Sequence, residues 1–172
     1  VTQEQLDMFA GDLPELRRKW RKTIEGKGGR CPCCDRWGKV NARAINSTMA
    51  RSLLWIYAAG ARVGDPLAWT DVPGTAPRWL VQTNQIASLR WWGFVERMPN
   101  DNPKVKCNGM WRLTRDGMAF ALGGITAREK VYVYDAEPVG FGGGQIGIRD
   151  ALGKAFDYED MMRERFDWRD AE

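Results

Sequence analysis

Residues 89–98, Leu89-Arg90-Trp91-Trp92-Gly93-Phe94-Val95-Glu96-Arg97-Met98, change their hydrophobic period in mid-run. Before Gly93, the apolar Ile86, Leu89 and Trp92 lie on one face of a helix expected to start near Thr83. Glycine then stops the helix. Beyond it, Phe94 to Met98 reads as a strand, Asn100 to Lys106 as a polar loop, and Met110 to Thr114 as the returning strand. Pro99 and Pro103 keep this excursion from pairing along its whole length. Thr114 is suited to cap a further helix, with Asp116 in its first turn and Met118, Phe120 and Ala121 as its apolar stripe up to Gly123.

Working back from this stretch, Ala44, Ile45, Met49, Leu53, Ile56 and Tyr57 recur at helical spacings. They predict an amphipathic helix of about four turns from Asn41 to near Gly60, with Asn46, Ser47, Arg51 and Ser52 on its other faces. Residues 61–77 hold three prolines and two glycines, so only short elements fit there, with Trp69 and Val72 tucked into the core. Helix, short element, helix, two-stranded wing, helix is the winged helix-turn-helix order, and it occupies 41–124. The expected class is α+β: a winged helix-turn-helix core with an N-terminal helical and cysteine-knuckle extension over 1–40, and a C-terminal β-hairpin with short helices over 125–172.

The matched positions Leu89, Gly93, Phe94, Val95, Glu96, Leu113, Thr114 and Gly117 resemble the corresponding stretch of multiple-antibiotic-resistance-type winged regulators. There a helix ends in glycine before a hydrophobic pair, and a wing leads to Leu-Thr-x-x-Gly. The resemblance covers about eighty residues and implies fold more than ligand, because most matched residues serve packing and turns. It implies that Gln82, Thr83, Asn84, Gln85, Ser88 and Arg90 face the major groove, with Lys104, Lys106 and Arg112 reaching phosphates from the wing. Trp91 or Trp92 is an alternative stacking platform, although core packing is the better expectation for Trp92 and Trp111. Such regulators commonly pair through flanking helices, which makes a homodimer an option. The whole chain also resembles tailed-phage and prophage proteins that join a cysteine knuckle, this winged segment and the tail from Val131 to Glu159. A phage setting follows from that resemblance.

In the N-terminal extension, Thr2 with Gln5 can cap a first helix carrying Leu6 and Phe9. Pro14 begins a second piece with Leu16, Trp20 and Ile24, among which Arg17, Arg18 and Arg21 are candidate phosphate contacts. Cys31-Pro32-Cys33-Cys34 resembles one knuckle of a zinc ribbon, with Cys31, Cys34 and the distant Cys107 as candidate ligands. A second knuckle from a paired subunit is another way to complete it. Zinc is therefore the one cofactor the sequence suggests, with free thiols on a structural turn as the alternative. Downstream, Lys130 to Tyr134 alternates as a strand, Asp135 to Pro138 turns, and Val139 to Ile148 returns. Residues 140–144 lack the glycine spacing that cradles a dinucleotide. Residues 148–152 and 158–166 read as short helices, the second strongly acidic.

The net charge of +4 conceals a local contrast. Residues 17–130 carry 21 Lys and Arg against 8 Asp and Glu, a balance of +13, whereas 131–172 carry 5 against 10, a balance of −5. A basic body is the footprint of a protein that meets phosphates. Histidine is absent, which removes the commonest general base, and no carboxylate pair or nucleotide loop replaces it. The opening residues are too polar for a signal peptide, and no apolar run is long enough for a membrane span. The expectation is a non-enzymatic, cytoplasmic nucleic-acid-binding protein with double-stranded DNA as partner. Recognition of a host or phage protein is the alternative.

Overall fold

Asn46 decides where the longest helix among the described residues begins. Its backbone is extended, and its Oδ1 accepts the Met49 N–H at 2.9 Å. That bond satisfies a donor which the first helical turn would otherwise leave open. The structure, a computed structural model, describes residues 13–100, 108–163 and 166–170. Those residues form a mixed α+β architecture whose chain divides into two compact units, Val1–Arg43 with Tyr132–Gly140, and Ala44–Val131 with Phe141–Glu172. The cap expected at Thr2 and the apolar positions Leu6 and Phe9 lie outside the described residues.

In the first unit, helix α1 (Leu13–Glu25) is followed by strands β1 (Gly29–Arg30) and β2 (Trp37–Gly38). The two strands pair antiparallel, with Gly29 opposite Gly38 and Arg30 opposite Trp37. Trp20 and Ile24 turn the apolar side of α1 onto this hairpin. A Cβ at Gly38 would meet the Trp20 indole at 2.7 Å and the Ile24 side chain at 3.1 Å, so the absence of a side chain permits the contact.

The second unit is built around α2 (Ser47–Arg62). Residues 41–44, expected as its first turn, form strand β3 (Asn41–Ala44) instead. At the end of that strand the Ile45 N–H is used by the Glu129 carbonyl at 2.9 Å, and Asn46 starts the helix only afterwards. Ile45, Met49, Leu53 and Ile56 are buried as the pattern predicts. Arg51 and Ser52 are buried too, contrary to the outward placement read from the sequence. Ser52 Oγ donates back to the Thr48 carbonyl at 2.7 Å, which lets a hydroxyl enter the core with its proton used.

After α2 come β4 (Thr70–Asp71), α3 (Val72–Thr75) and α4 (Arg78–Thr83), the short elements expected of a proline-rich stretch. The helix expected from Thr83 is not α-helical. Asn84 adopts a left-handed conformation (φ 48°, ψ 27°) that closes α4, and residues 85–92 wind as a 3₁₀ helix up to Gly93 (φ 72°). The tighter winding places residues three apart in line. Ile86 and Leu89 are thereby buried together, and the partly buried Trp92 packs against the same core. Its indole N–H donates to the Arg128 carbonyl at 2.7 Å.

Strands β5 (Val95–Arg97) and β6 (Met110–Leu113) then pair antiparallel, and β4 joins the other edge of β6 to give the order β4-β6-β5. Thr70 faces Trp111, and Val95 faces Leu113. Thr114 caps α5 (Arg115–Ala121) by accepting the Gly117 N–H at 3.0 Å, as its position predicts.

The C-terminal hairpin consists of β7 (Ala127–Tyr134) and β8 (Glu137–Ile146), with sheet order β3-β7-β8. Its turn is confined to Asp135 and Ala136, both at positive φ. Helix α6 (Ile148–Leu152) matches the sequence reading. Helix α7 covers only Tyr158–Met161 instead of continuing to Phe166, and a 3₁₀ turn follows at Trp168–Asp170. Asp157 caps α7 at 2.8 Å, while Met161 and Trp168 are buried with α2 in the same core. The acidic tail is thus anchored by its apolar residues.

Tyr158 ties α7 to the end of α5 by donating its hydroxyl proton to the Ala121 carbonyl at 2.9 Å. Partial burial raises its pKa above the ordinary 10.0, a shift opposed by the neighbouring Arg149. The folded state therefore holds this proton more tightly than the unfolded chain. The stability it contributes is whole below the unfolded pKa and is lost as pH rises through the higher folded value. Denaturant midpoints taken between about pH 8 and pH 11 should fall more steeply for the wild type than for Tyr158→Phe. Equal slopes would remove Tyr158 from the alkaline response.

Candidate nucleic-acid interface

Arg17, Arg18 and Arg21 are all exposed on α1, because Trp20 and Ile24 occupy its inner face. On the same helix Lys19 pairs with Glu15 at 3.1 Å, both side chains exposed, and such a surface pair adds little stability. These exposed guanidinium groups stand where a polyanion can reach them.

The residues chosen from the helix-turn-helix divide into two groups. Gln82, Thr83 and Asn84 are exposed at the end of α4, whereas Gln85 and Ser88 are half-buried along the 3₁₀ segment. Arg90 is exposed but has an interaction partner within the protein. They do not form one continuous α-helical row, since Asn84 interrupts it. Arg112, expected to meet phosphate from the wing, is engaged elsewhere. Its Nε donates to Glu96 Oε1, and its guanidinium lies 4.4 Å from the Trp69 ring centroid. Cross-strand pairing of Glu96 with Arg112 produces that contact. Lys104, Lys106 and Cys107 lie outside the described residues.

The cysteine turn is closed by backbone bonds. The Cys31 N–H donates to the Arg36 carbonyl at 2.8 Å, and Asp35 N–H donates to the Cys31 carbonyl at 2.9 Å. Asp35 stands at φ 56° and accepts from Arg30 at 3.1 Å. Cys31 is half-buried and Cys33 and Cys34 are exposed, all as free thiols. Backbone hydrogen bonds from Cys33, then Cys34, hold the Cys31 thiol pKa below its ordinary value. No group of three or more Cys, His, Asp or Glu side chains suited to a metal ion occurs among the described residues.

The first unit also carries an aromatic face that no sequence motif marks. Trp37 is 58% exposed, although its indole rests against the backbone of Gly28. A Cβ there would lie 2.8 Å from indole Cζ2, and Gly28 also needs its positive φ of 81°. Trp37, Arg36, Lys39, Asn41 and Tyr134 line a hollow of about 290 Å³, with Asp135 as its acidic member. Tyr134 also lines a second hollow of about 510 Å³, which includes Trp20, Arg21 and Val139, with Glu25 as its acidic member. The available signal was a tryptophan between cations on a strand too short to bury it, in Arg36-Trp37-Gly38-Lys39. Trp91 and Trp92, the platforms considered from sequence, are both partly buried.

No family model, curated protein or solved structure matches the chain. The class that the described residues define is a mixed α+β protein with a cationic, aromatic-bearing first unit. Among those residues no helix is long and apolar enough to cross a membrane.

Proposed function

We propose that the chain is a non-enzymatic, phage-type nucleic-acid-binding protein whose central region is a winged helix-turn-helix acting with a basic surface, in a cytoplasmic and regulatory setting. The observation that carries this reading is the balance of +13 over residues 17–130, of which Arg17, Arg18 and Arg21 are exposed on one helix. The strand order β4-β6-β5, with β4 inserted between α2 and α3, supports the winged description. Backbone-led contact fits better than base reading, because the expected recognition row is interrupted at Asn84 while Arg17, Arg18 and Arg21 are exposed. Zinc at Cys31, Cys34 and Cys107 remains an accessory proposal, checked by metal analysis of the purified protein.

Binding of a random-sequence duplex across a salt series tests the main reading. Each neutralised phosphate contributes about −0.9 to the slope of log affinity against log salt, so four such contacts cost on the order of 100-fold between roughly 50 and 200 mM. No binding at low salt would reject duplex contact. It would favour recognition of a host or phage protein, for which the specific observation is Val81, 42% exposed beside Gln82.

A further inference from the structure

The first unit presents flat aromatic surface and positive charge together. Trp37 is exposed yet held in place by its contact with Gly28, so little conformational freedom is lost when a ring stacks on it. The exposed Arg36 and Lys39 flank it in the same hollow, and the adjoining hollow adds Arg21 beside Trp20. Tyr134 is common to both. Duplex DNA has no use for such a face, because its bases are already stacked on one another. An unpaired strand offers free π-faces at intervals along a chain of phosphates, the two features these hollows complement. We infer that the Trp37–Tyr134 face of the first unit binds an unpaired stretch of nucleic acid, one base stacking on Trp37 with its phosphates toward Arg36 and Lys39, and the strand continuing past Tyr134 toward Arg21.

This inference rests on the nucleic-acid reading and deepens it by naming a single strand as the ligand of this face. Asp135 and Glu25 line the hollows as acidic groups, and like-charge repulsion would turn the phosphates away from them toward Arg36, Lys39 and Arg21. Base stacking tolerates every base, so the face should show little sequence preference.

The test is anisotropy of a labelled oligothymidylate, a labelled oligouridylate and a blunt random duplex, each titrated with the full chain at low salt. Trp37→Ala should weaken binding of the single strands about 10-fold or more, in line with the loss of one stacked base. It should leave duplex binding within about twofold, since the duplex presents no free base to the indole. Trp37→Phe, which keeps a ring, should restore most of the affinity, and Lys39→Ala should flatten the salt dependence by about one phosphate's worth. Unchanged thermal melting of each variant separates lost contact from lost folding. Equal single-strand affinity for wild type and Trp37→Ala would overturn the inference, as would an equal loss on duplex and single strand. Wild-type binding to duplex alone would sink this face and leave the proposed function standing, whereas binding to none of the three probes would sink both. Oligothymidylate against oligouridylate then tells DNA from RNA.

Discussion

Gly117→Ala is expected to destabilise the second unit by about 3 kcal/mol or more, lowering the melting temperature by roughly 6–12 °C. An added Cβ would lie 1.9 Å from the Phe94 carbonyl oxygen and 2.7 Å from its carbon. Backbone cannot swing aside as the end of a lysine would. The same Phe94 carbonyl accepts the Thr114 N–H at 3.0 Å, and Thr114 Oγ1 both donates to the Gly93 carbonyl and accepts from Gly117. Moving Phe94 therefore strains the junction between β5 and the cap of α5. It also disturbs the Phe94 ring stacked on Phe120 at 4.5 Å. Overpacking alone typically costs about 1–3 kcal/mol, and a lost cap adds about 1. Gly144→Ala is the matched control, since nothing lies within 4 Å of its Cβ position. A Gly117→Ala variant melting within a degree or two of Gly144→Ala would show that the crowding relaxes at little cost.

The same junction shows what the sequence could reveal. Gly93 and Thr114 were legible because stop and cap each demand a particular residue type within a few positions, whereas the close approach at Gly117 is visible only once Phe94 is placed against it. Strand pairs and buried apolar rows were legible for a similar local reason. Less legible was anything decided by partners distant in the chain. Residues 41–44 became strand through the sheet with β7. The 3₁₀ winding of residues 85–92 follows a local left-handed turn at Asn84 that the apolar spacing does not reveal. The candidate interface was harder still. Arg17, Arg18 and Arg21 were found because consecutive charge signals exposure, whereas Arg112 looked equally available until Glu96 and Trp69 were brought beside it. Trp37 was overlooked because tryptophan usually signals packing, and only its place on Gly28 in a two-residue strand leaves it open.

Arg51 is the other residue whose role depends on distant partners, and Arg51→Ala is expected to cost about 3 kcal/mol. Its guanidinium lies 4.7 Å from the Trp79 ring centroid and 4.3 Å from that of Phe156, with Nη2 donating to Thr48 Oγ1 at 3.2 Å. Burial lowers its pKa, yet an arginine stays charged at neutral pH, so a cation is held between two π-faces in place of water. Alanine would remove both ring contacts and leave a void. Trp79 also donates its indole N–H to the Trp168 carbonyl at 2.8 Å, so loosening Trp79 loosens the segment around Trp168. Lysine retains charge but has no plane to stack on two rings, and Arg51→Lys should lose an intermediate amount, about 1–2 kcal/mol. Chemical denaturation orders the three proteins, and amide exchange near Trp168 should quicken in the same order. If Arg51→Ala matches the wild type, the two ring contacts offset no more than the cost of burying the cation. If lysine and arginine are equivalent, charge alone matters and the stacked plane contributes nothing.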